Sequence, residues 1–183
     1  MKQEQFLNRL KDIRENNDLK QKDMAKILNV SRPNYTRWET KEKIIPLTRL
    51  NDFCNYFKIN MDYVIGLSNN IININKNIIL DKKMIGNNIK EFRNKNKITQ
   101  EELAEKLGTT HSVISAYENG HTLILTAFLI NLCTTYNLSA DTLCNRKNDW
   151  DYFISIISIL SSLLPNLSKS TLLILSNLLV IFS

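Results

Sequence analysis

Glycine, proline, cysteine and histidine are scarce in this chain of 183 residues, which contains four, three, three and two of them. Four scattered glycines do not form the glycine-rich phosphate loop of a nucleotide-binding enzyme. The cysteines show no CxxC spacing, and the two histidines do not complete the four well-spaced ligands of a zinc site. No nucleophile with an accompanying base and no pair of carboxylates indicates catalysis. We therefore predict that the protein is not an enzyme and uses no cofactor or metal.

A secretory signal is also lacking, because the first 16 residues, MKQEQFLNRLKDIREN, are polar and periodic. An odd number of cysteines without such a signal is typical of a reducing cytoplasm. We therefore expect a cytoplasmic protein.

Positive charge is in modest excess and is unevenly distributed, with 24 Lys and Arg against 18 Asp and Glu and a net charge of +6. Residues 1–68 hold 13 basic and 9 acidic side chains, whereas residues 81–145 hold seven of each. A hydrophobic content of 43% is enough for a folded core. The positive excess suits a polyanionic partner, but composition alone does not identify one.

An internal repeat organises the chain. The segment LKDIRENNDLKQKDMAKIL, which starts at Leu10, aligns without a gap with IKEFRNKNKITQEELAEKL, which starts at Ile89, at an offset of 79 residues. The aligned pairs include Arg14 and Arg93, Gln21 and Gln100, Trp38 and Tyr117, Glu39 and Glu118, Cys54 and Cys133, and Asp62 and Asp141. The sequence therefore predicts two homologous domains, and no segment shows the alternation of a strand with hairpin turns.

Apolar spacing predicts five short helices in each repeat, so the expected fold class is all-α. In the first repeat, Ser31 is the expected N-cap of the third helix, which has Pro33 in its first turn. Tyr35 and Trp38 should face the core, and Asn60 is expected to cap the fifth helix. Cys54 and Cys133 lie on matching apolar helix faces and are interpreted as buried thiols.

The segments ITQEELAEKLGTTHSVISAYENG (98–120) and LKQKDMAKILNVSRPNYTRWET (19–40) resemble the phage repressor and Cro type of helix-turn-helix regulator, the XRE family. The resemblance covers nearly all of both repeats. It implies that the second helix crosses the phosphate backbone while the third lies in a major groove about 12 Å wide. Gly108 and Asn29 suit the left-handed turn between these helices.

The resemblance also implies which residues contact DNA. Bases are expected to be read by Arg32 and Arg37, because arginine commonly reads guanine, and the neighbouring candidates are Ser31, Pro33, Asn34 and Thr36. Gln21 and Gln100 are expected to hold phosphates at the start of each second helix, and Lys41 and Lys43 are well placed for phosphates. The alternative interpretation of these cations is ordinary solvated surface charge. Arg14 with Glu39, and Arg93 with Glu118, are expected to form ion pairs between the first and third helices.

The second repeat departs from this pattern. Its reading positions hold His111, Ser112, Ser115 and Ala116, and the following segment GHTLILTA has no Lys or Arg. Two interpretations stay open. The repeat is either a weak auxiliary reader of DNA or a domain that contacts protein through Leu123, Ile124 and Leu125.

These observations divide the chain into a first helix-turn-helix domain (1–68), a linker (69–82), a second such domain (83–146) and an apolar C-terminal segment (147–183). The linker is rich in Asn and Ile, and its pattern leaves open a short ordered element within it. About 14 extended linker residues would reach roughly 45 Å, enough for one chain to straddle two half-sites about 34 Å apart if the second repeat binds DNA. In the C-terminal segment, Pro165, Asn166 and Lys169 interrupt a run that would otherwise approach the length of a membrane span. We interpret it as a helical hairpin that forms a homodimer, with packing onto the second repeat or membrane attachment as alternatives.

The function predicted from the sequence is a sequence-specific transcriptional regulator that binds double-stranded DNA, acts as a repressor and uses the first repeat as its main reader. The alternative is an antitoxin or adaptor whose second domain and C-terminus bind a protein partner.

Overall fold

The computed structural model describes residues 9–146, and within that range the chain forms ten helices and no strand. The first repeat contains α1 (Arg9–Glu15), α2 (Gln21–Ile27), α3 (Arg32–Glu39), α4 (Leu47–Phe57) and α5 (Met61–Val64). The second contains α6 (Lys82–Lys95), α7 (Gln100–Leu107), α8 (His111–Glu118), α9 (Thr126–Tyr136) and α10 (Ala140–Leu143). Two tandem all-α repeats are therefore confirmed. The predicted C-terminal hairpin and its homodimer lie outside the described residues.

The turn between the second and third helices has the predicted backbone geometry in both repeats. Asn29 and Gly108 follow α2 and α7 with φ of 51° and 65°, in the left-handed region. Glycine adopts this region without strain, and asparagine is among the few other residues that tolerate it. The angle between each helix pair is thus set by a residue suited to the turn.

Each repeat buries one face of its helices in a core. Tyr35 and Trp38 are buried as predicted, and their rings meet edge to face with centroids 6.1 Å apart. Cys54 and Cys133 are also buried and free of disulfides. Burial raises the pKa of Cys54 to about 12, so its thiol stays protonated and behaves as a small apolar group.

The segment between the repeats packs against the first repeat instead of extending. Ile59 and Asn73 form an antiparallel bridge, and the Ile74 amide donates to the Lys58 carbonyl at 2.8 Å. Ile74 and Ile78 are buried. The 45 Å reach expected of an extended linker therefore does not describe how the repeats are connected.

The two repeats dock through carboxylates that cap each other's last short helix. Asp141 accepts hydrogen bonds from the backbone amides of Met61 and Asp62, at 2.8 and 2.7 Å, at the start of α5. Asp62 in turn accepts from the amide of Ala140 at 2.6 Å, at the start of α10. The first amides of a helix lack partners within it, so each carboxylate satisfies donors of the other repeat.

This docking changes the role expected for Asn60. It occupies the N-cap position of α5, but its side chain makes no cap hydrogen bond. Its Oδ1 accepts from the Ile72 amide at 2.8 Å and its Nδ2 donates to the Asn70 carbonyl at 3.3 Å. Asn60 therefore fastens the connecting segment, while Asp141 caps the helix. Ser31 likewise stands at the N-cap of α3 without a side-chain cap bond.

A fully buried arginine completes the contact between the repeats. Arg146 donates to Asp141 at 3.2 Å and also to Asn51, to Asn55 and to the Ile59 carbonyl. Burial raises the pKa of Asp141 to about 6, although the amides of Asp62 and Met61 and the charge of Arg146 oppose that rise. Each nitrogen of the Arg146 guanidinium has at least one hydrogen-bond acceptor, as a buried charge requires.

Replacing Asp141 by asparagine tests this docking. In Asp141→Asn one carboxylate oxygen becomes an NH2 group, which cannot accept a hydrogen bond. Either a backbone amide of α5 or Arg146 then loses its acceptor while it stays buried, so the free energy of unfolding should fall by about 1–3 kcal/mol. The measurement is urea unfolding of the full chain, followed by circular dichroism and tryptophan fluorescence. Asp52→Asn is the control, because the Asp52 side chain is 43% exposed and pairs with Arg49 at the surface. Equal midpoints for the two variants would contradict the docking.

Candidate nucleic-acid interface

The third helix of the first repeat has one buried face and one open face. Tyr35 and Trp38 anchor it in the core, whereas the side chains of Arg32, Asn34 and Arg37 are exposed. Pro33 and Ser31 are exposed beside them, and Thr36 is half-buried. The structure therefore brings most of the predicted base-reading candidates together on one solvent-facing surface.

A buried network holds this helix in position. The Nε of Arg14 donates to Oε1 of Glu39 at 2.6 Å, which confirms the predicted pair between the first and third helices. Gln21 donates to Oε2 of Glu39 at 2.9 Å and accepts from the Thr36 hydroxyl at 3.0 Å. Both amide atoms of Gln21 are engaged within the domain, and its phosphate contact stays a prediction. The network links α1, α2 and α3.

The second repeat contains the same contacts among its arginine, glutamine and glutamate. Arg93 donates to Glu118 at 2.6 Å, and Gln100 donates to the other oxygen of that carboxylate at 2.6 Å. In each repeat, burial alone would raise the pKa of the glutamate, but hydrogen bonds from the arginine and the glutamine outweigh it and lower the pKa of Glu39 and Glu118. Both carboxylates therefore remain charged at neutral pH.

A basic corner adjoins the open face of α3. Arg14, Lys20, Gln21, Lys22 and Arg32 line a pocket of about 400 Å³. Lys20, Lys22 and Arg32 are exposed, so their charges can meet a phosphate in solution. Lys20 and Lys22 were not among the residues selected from the sequence. Comparing the repeats could have identified them, because Thr99 and Glu101 stand at their places.

Two further cations follow α3. Lys41 and Lys43 are both exposed, and Lys41 has a left-handed backbone with φ of 64°. The equivalent position in the second repeat is Gly120, with φ of 65°. A residue with a Cβ is strained there by roughly 1–2 kcal/mol relative to glycine. Lysine thus occupies a position where glycine would have less backbone strain. Arg37 lies 3.8 Å from Glu42 in a weak, exposed pair.

The corresponding face of the second repeat has no cation at the equivalent positions. His111 is exposed and lies 3.6 Å from the carboxylate of Glu101. Ser112 is exposed, and Ser115 accepts a hydrogen bond from Asn119 at 3.2 Å. Lys20, Lys22, Arg32, Arg37, Lys41 and Lys43 correspond to Thr99, Glu101, His111, Ala116, Gly120 and Thr122. This face can offer hydrogen bonds but little attraction to phosphate.

The apolar segment that follows α8 contacts the first repeat. Ile124 is buried and Leu125 is 59% exposed. Residues 123–127 line a groove of about 380 Å³ together with residues 44–48, and the Thr126 hydroxyl donates to the Ile45 carbonyl at 2.6 Å. Part of the surface considered for a protein partner is therefore used inside the chain.

Among residues 9–146 no group of His, Cys, Asp and Glu is arranged to hold a metal ion. Over the same residues, none of the helices combines the length and apolar character that crossing a membrane requires.

Comparison with known proteins matches both repeats to one family. The sequence profile of the family described as Helix-turn-helix matches residues 10–64 and again residues 89–143. Antitoxin PezA of Streptococcus pneumoniae serotype 4 (strain ATCC BAA-334 / TIGR4) is 32% identical over 79 residues, which cover 40% of this chain and 50% of PezA. The chain thus spans half the length of that curated relative. A solved SinR protein/SinI protein complex contains a chain that is 25% identical, with coverage of 51% of this chain and 92% of that one and a TM-score of 0.32.

The glutamate of the first network should control acid sensitivity. The lowered pKa of Glu39 contributes stability that is present above its usual value of 4.5 and is lost as the pH falls through the lower, folded value. In Glu39→Gln the free energy of unfolding at pH 7 should fall by about 3 kcal/mol, because the buried Arg14 loses its buried charge partner and keeps only the half-exposed Glu15 at 3.1 Å.

The same variant should also lose less stability than the wild type between pH 5 and pH 3, as measured by urea unfolding at each pH. Glu42→Gln, whose side chain is 62% exposed, is the control. An unchanged acid response in Glu39→Gln would show that Glu39 is not the titrating group.

Proposed function

Because the chain belongs to the helix-turn-helix family of XRE type, twice over, we propose that it is a transcriptional regulator that reads double-stranded DNA mainly with α3. The observation that carries the proposal is the exposed pair Arg32 and Arg37 on a helix whose opposite face is fixed by a buried ion pair. A rigid helix with exposed guanidinium groups is what base reading in a major groove requires. Occupying DNA beside a promoter would make it a repressor.

The charges around α3 support the same function. Lys20 and Lys22 lie at the start of α2, while Lys41 and Lys43 follow α3, so cations flank the reading helix on both sides. Cations that neutralise phosphates release counterions and make affinity depend on salt. Lys41 stands where the second repeat has Gly120 in the same left-handed turn, so the first repeat has a cation at this place and the second has none.

Removing the two arginines tests base reading. In Arg32→Ala with Arg37→Ala, affinity for sequences selected from a random duplex pool should fall at least about 30-fold, because two bidentate contacts of about 1–3 kcal/mol each are lost. Fluorescence anisotropy gives the affinity, and sequencing of the bound pool gives the selectivity.

The matched control is Arg49→Ala with Lys58→Ala, which removes two charges from α4 and its C-cap. It should retain selectivity. If the wild type itself selects no sequence at any salt concentration, α3 is not a reading helix and the chain's role lies elsewhere.

Replacing Lys41 by glycine should weaken DNA binding without lowering stability. Lys41→Gly should leave the free energy of unfolding unchanged or raise it by up to about 1 kcal/mol, since the left-handed strain is relieved. The slope of log affinity against log salt should become shallower by about 0.9, the value for one lost phosphate contact.

Lys58→Gly is a closely matched control, because Lys58 is exposed and has φ of 55° at the end of α4. It should gain stability in the same way and keep the wild-type salt slope. Equal salt slopes for the wild type and both variants would show that Lys41 does not contact a phosphate.

The second candidate function is that of an antitoxin. The similarity to PezA, which is named an antitoxin, favours it, although the match covers half of PezA. Under this proposal the second repeat and residues 147–183 bind a toxic protein, and DNA binding is secondary. Co-expression with the product of the adjacent gene tests it: a toxic product that this chain neutralises supports the proposal, and an inert one contradicts it. Homodimerisation through residues 147–183, which the sequence predicts, also stays a proposal.

A further inference from the structure

The two repeats meet through equivalent surfaces. Asp62 reaches the start of α10, and Asp141, its counterpart at the offset of 79 residues, reaches the start of α5. The groove between the repeats is lined by residues 44–48 and 123–127, which are also counterparts at that offset. An interface in which one patch meets its own equivalent is isologous, as in two-fold symmetric dimers.

The third helices lie close in sequence to this contact. Residues 44–48 follow α3 and residues 123–127 follow α8, so each third helix ends a few residues before a segment that lines the groove between the repeats. The N-terminal residues of both helices, Arg32 and His111, remain exposed. Two surfaces related by a two-fold axis meet DNA half-sites that run in opposite directions.

The relation between the repeats is held by buried contacts within one chain. Arg146, from the end of the second repeat, is buried against Asn51 and Asn55 of α4. The same two asparagines donate to the carbonyl of Ile78 in the connecting segment, at 2.7 and 2.9 Å. The connecting segment and the second repeat are thus fastened to α4 at one point.

We propose that a single chain is a built-in pseudo-dimer that recognises an asymmetric operator of two unlike half-sites in inverted orientation. Arg32 and Arg37 read the first half-site. His111 and Ser112 read the second through hydrogen bonds, on a face where Glu101 and neutral residues replace the cations of the first. The half-sites lie about one helical turn apart, as in dimers of this type. This inference rests on the proposed function.

The test starts from selection of duplexes containing about 30 random base pairs, three turns of DNA, with the full chain. The expected motif has two different halves at one fixed spacing. Native mass spectrometry of the selected complex should give one chain per duplex. Inserting about 5 base pairs, half a turn, between the halves should lower affinity about tenfold or more, because both heads can no longer engage one face.

Two variants assign the halves. Arg32→Ala with Arg37→Ala should erase only the first half from the selected motif, whereas His111→Ala with Ser112→Ala should erase only the second. All four side chains are exposed, so neither variant removes core packing, and an unfolding curve checks that each remains folded. Loss of spacing dependence in the second variant supports the assignment independently of affinity.

The outcomes distinguish this inference from the proposed function. A palindromic motif bound by two chains would overturn it, because the second head would then come from another copy. A single half-site bound by one chain would overturn it as well, and the first repeat would remain the reader. Absence of any selected sequence would instead overturn the proposed function itself.

Discussion

Asp141 places a carboxylate where little water remains, and the whole arrangement of the two repeats depends on how that charge is satisfied. Two backbone amides at the start of α5 and the buried guanidinium of Arg146 supply the donors. A buried charge without such partners would cost several kcal/mol, so the donors must stay in place for as long as the charge does. This requirement ties the end of the second repeat to α4 and α5 of the first.

The two repeats share their buried polar contacts but differ in their exposed charges. The triad of arginine, glutamine and glutamate that holds the third helix is present twice with nearly the same distances. The positions that face solvent around that helix share almost no charge between the repeats. Buried polar groups are constrained by geometry on every side, whereas an exposed side chain is constrained only by what it binds. The same scaffold therefore presents two chemically unlike surfaces.

The sequence alone predicted those features of the fold that depend on neighbouring residues. Helical periodicity and the offset of 79 residues predicted the helices, and Asn29 and Gly108 predicted the turns that join α2 to α3 and α7 to α8. These features are determined by residues that are neighbours in the sequence. The pair of Arg14 and Glu39 came from the family resemblance.

Contacts between distant residues were not predictable in this way. Arg146 meets Asn51 across 95 residues, and no periodic pattern marks such a partner. The packing of the connecting segment was missed for the same reason, since its isoleucines are buried by tertiary contacts that composition does not report. The residues assigned to DNA contact lie largely on one exposed face, but exposure does not show what they bind.

The covalent connection between the repeats affects how the protein responds to its own abundance. Two separate subunits dissociate on dilution, so the population of a paired form depends on the square of the subunit concentration. Repeats that share a chain, with Ile78 and Arg146 anchored on α4, keep their relative position at any dilution. A cell with few copies thus has as large a fraction of paired heads as a cell with many, and their number rises in direct proportion to synthesis.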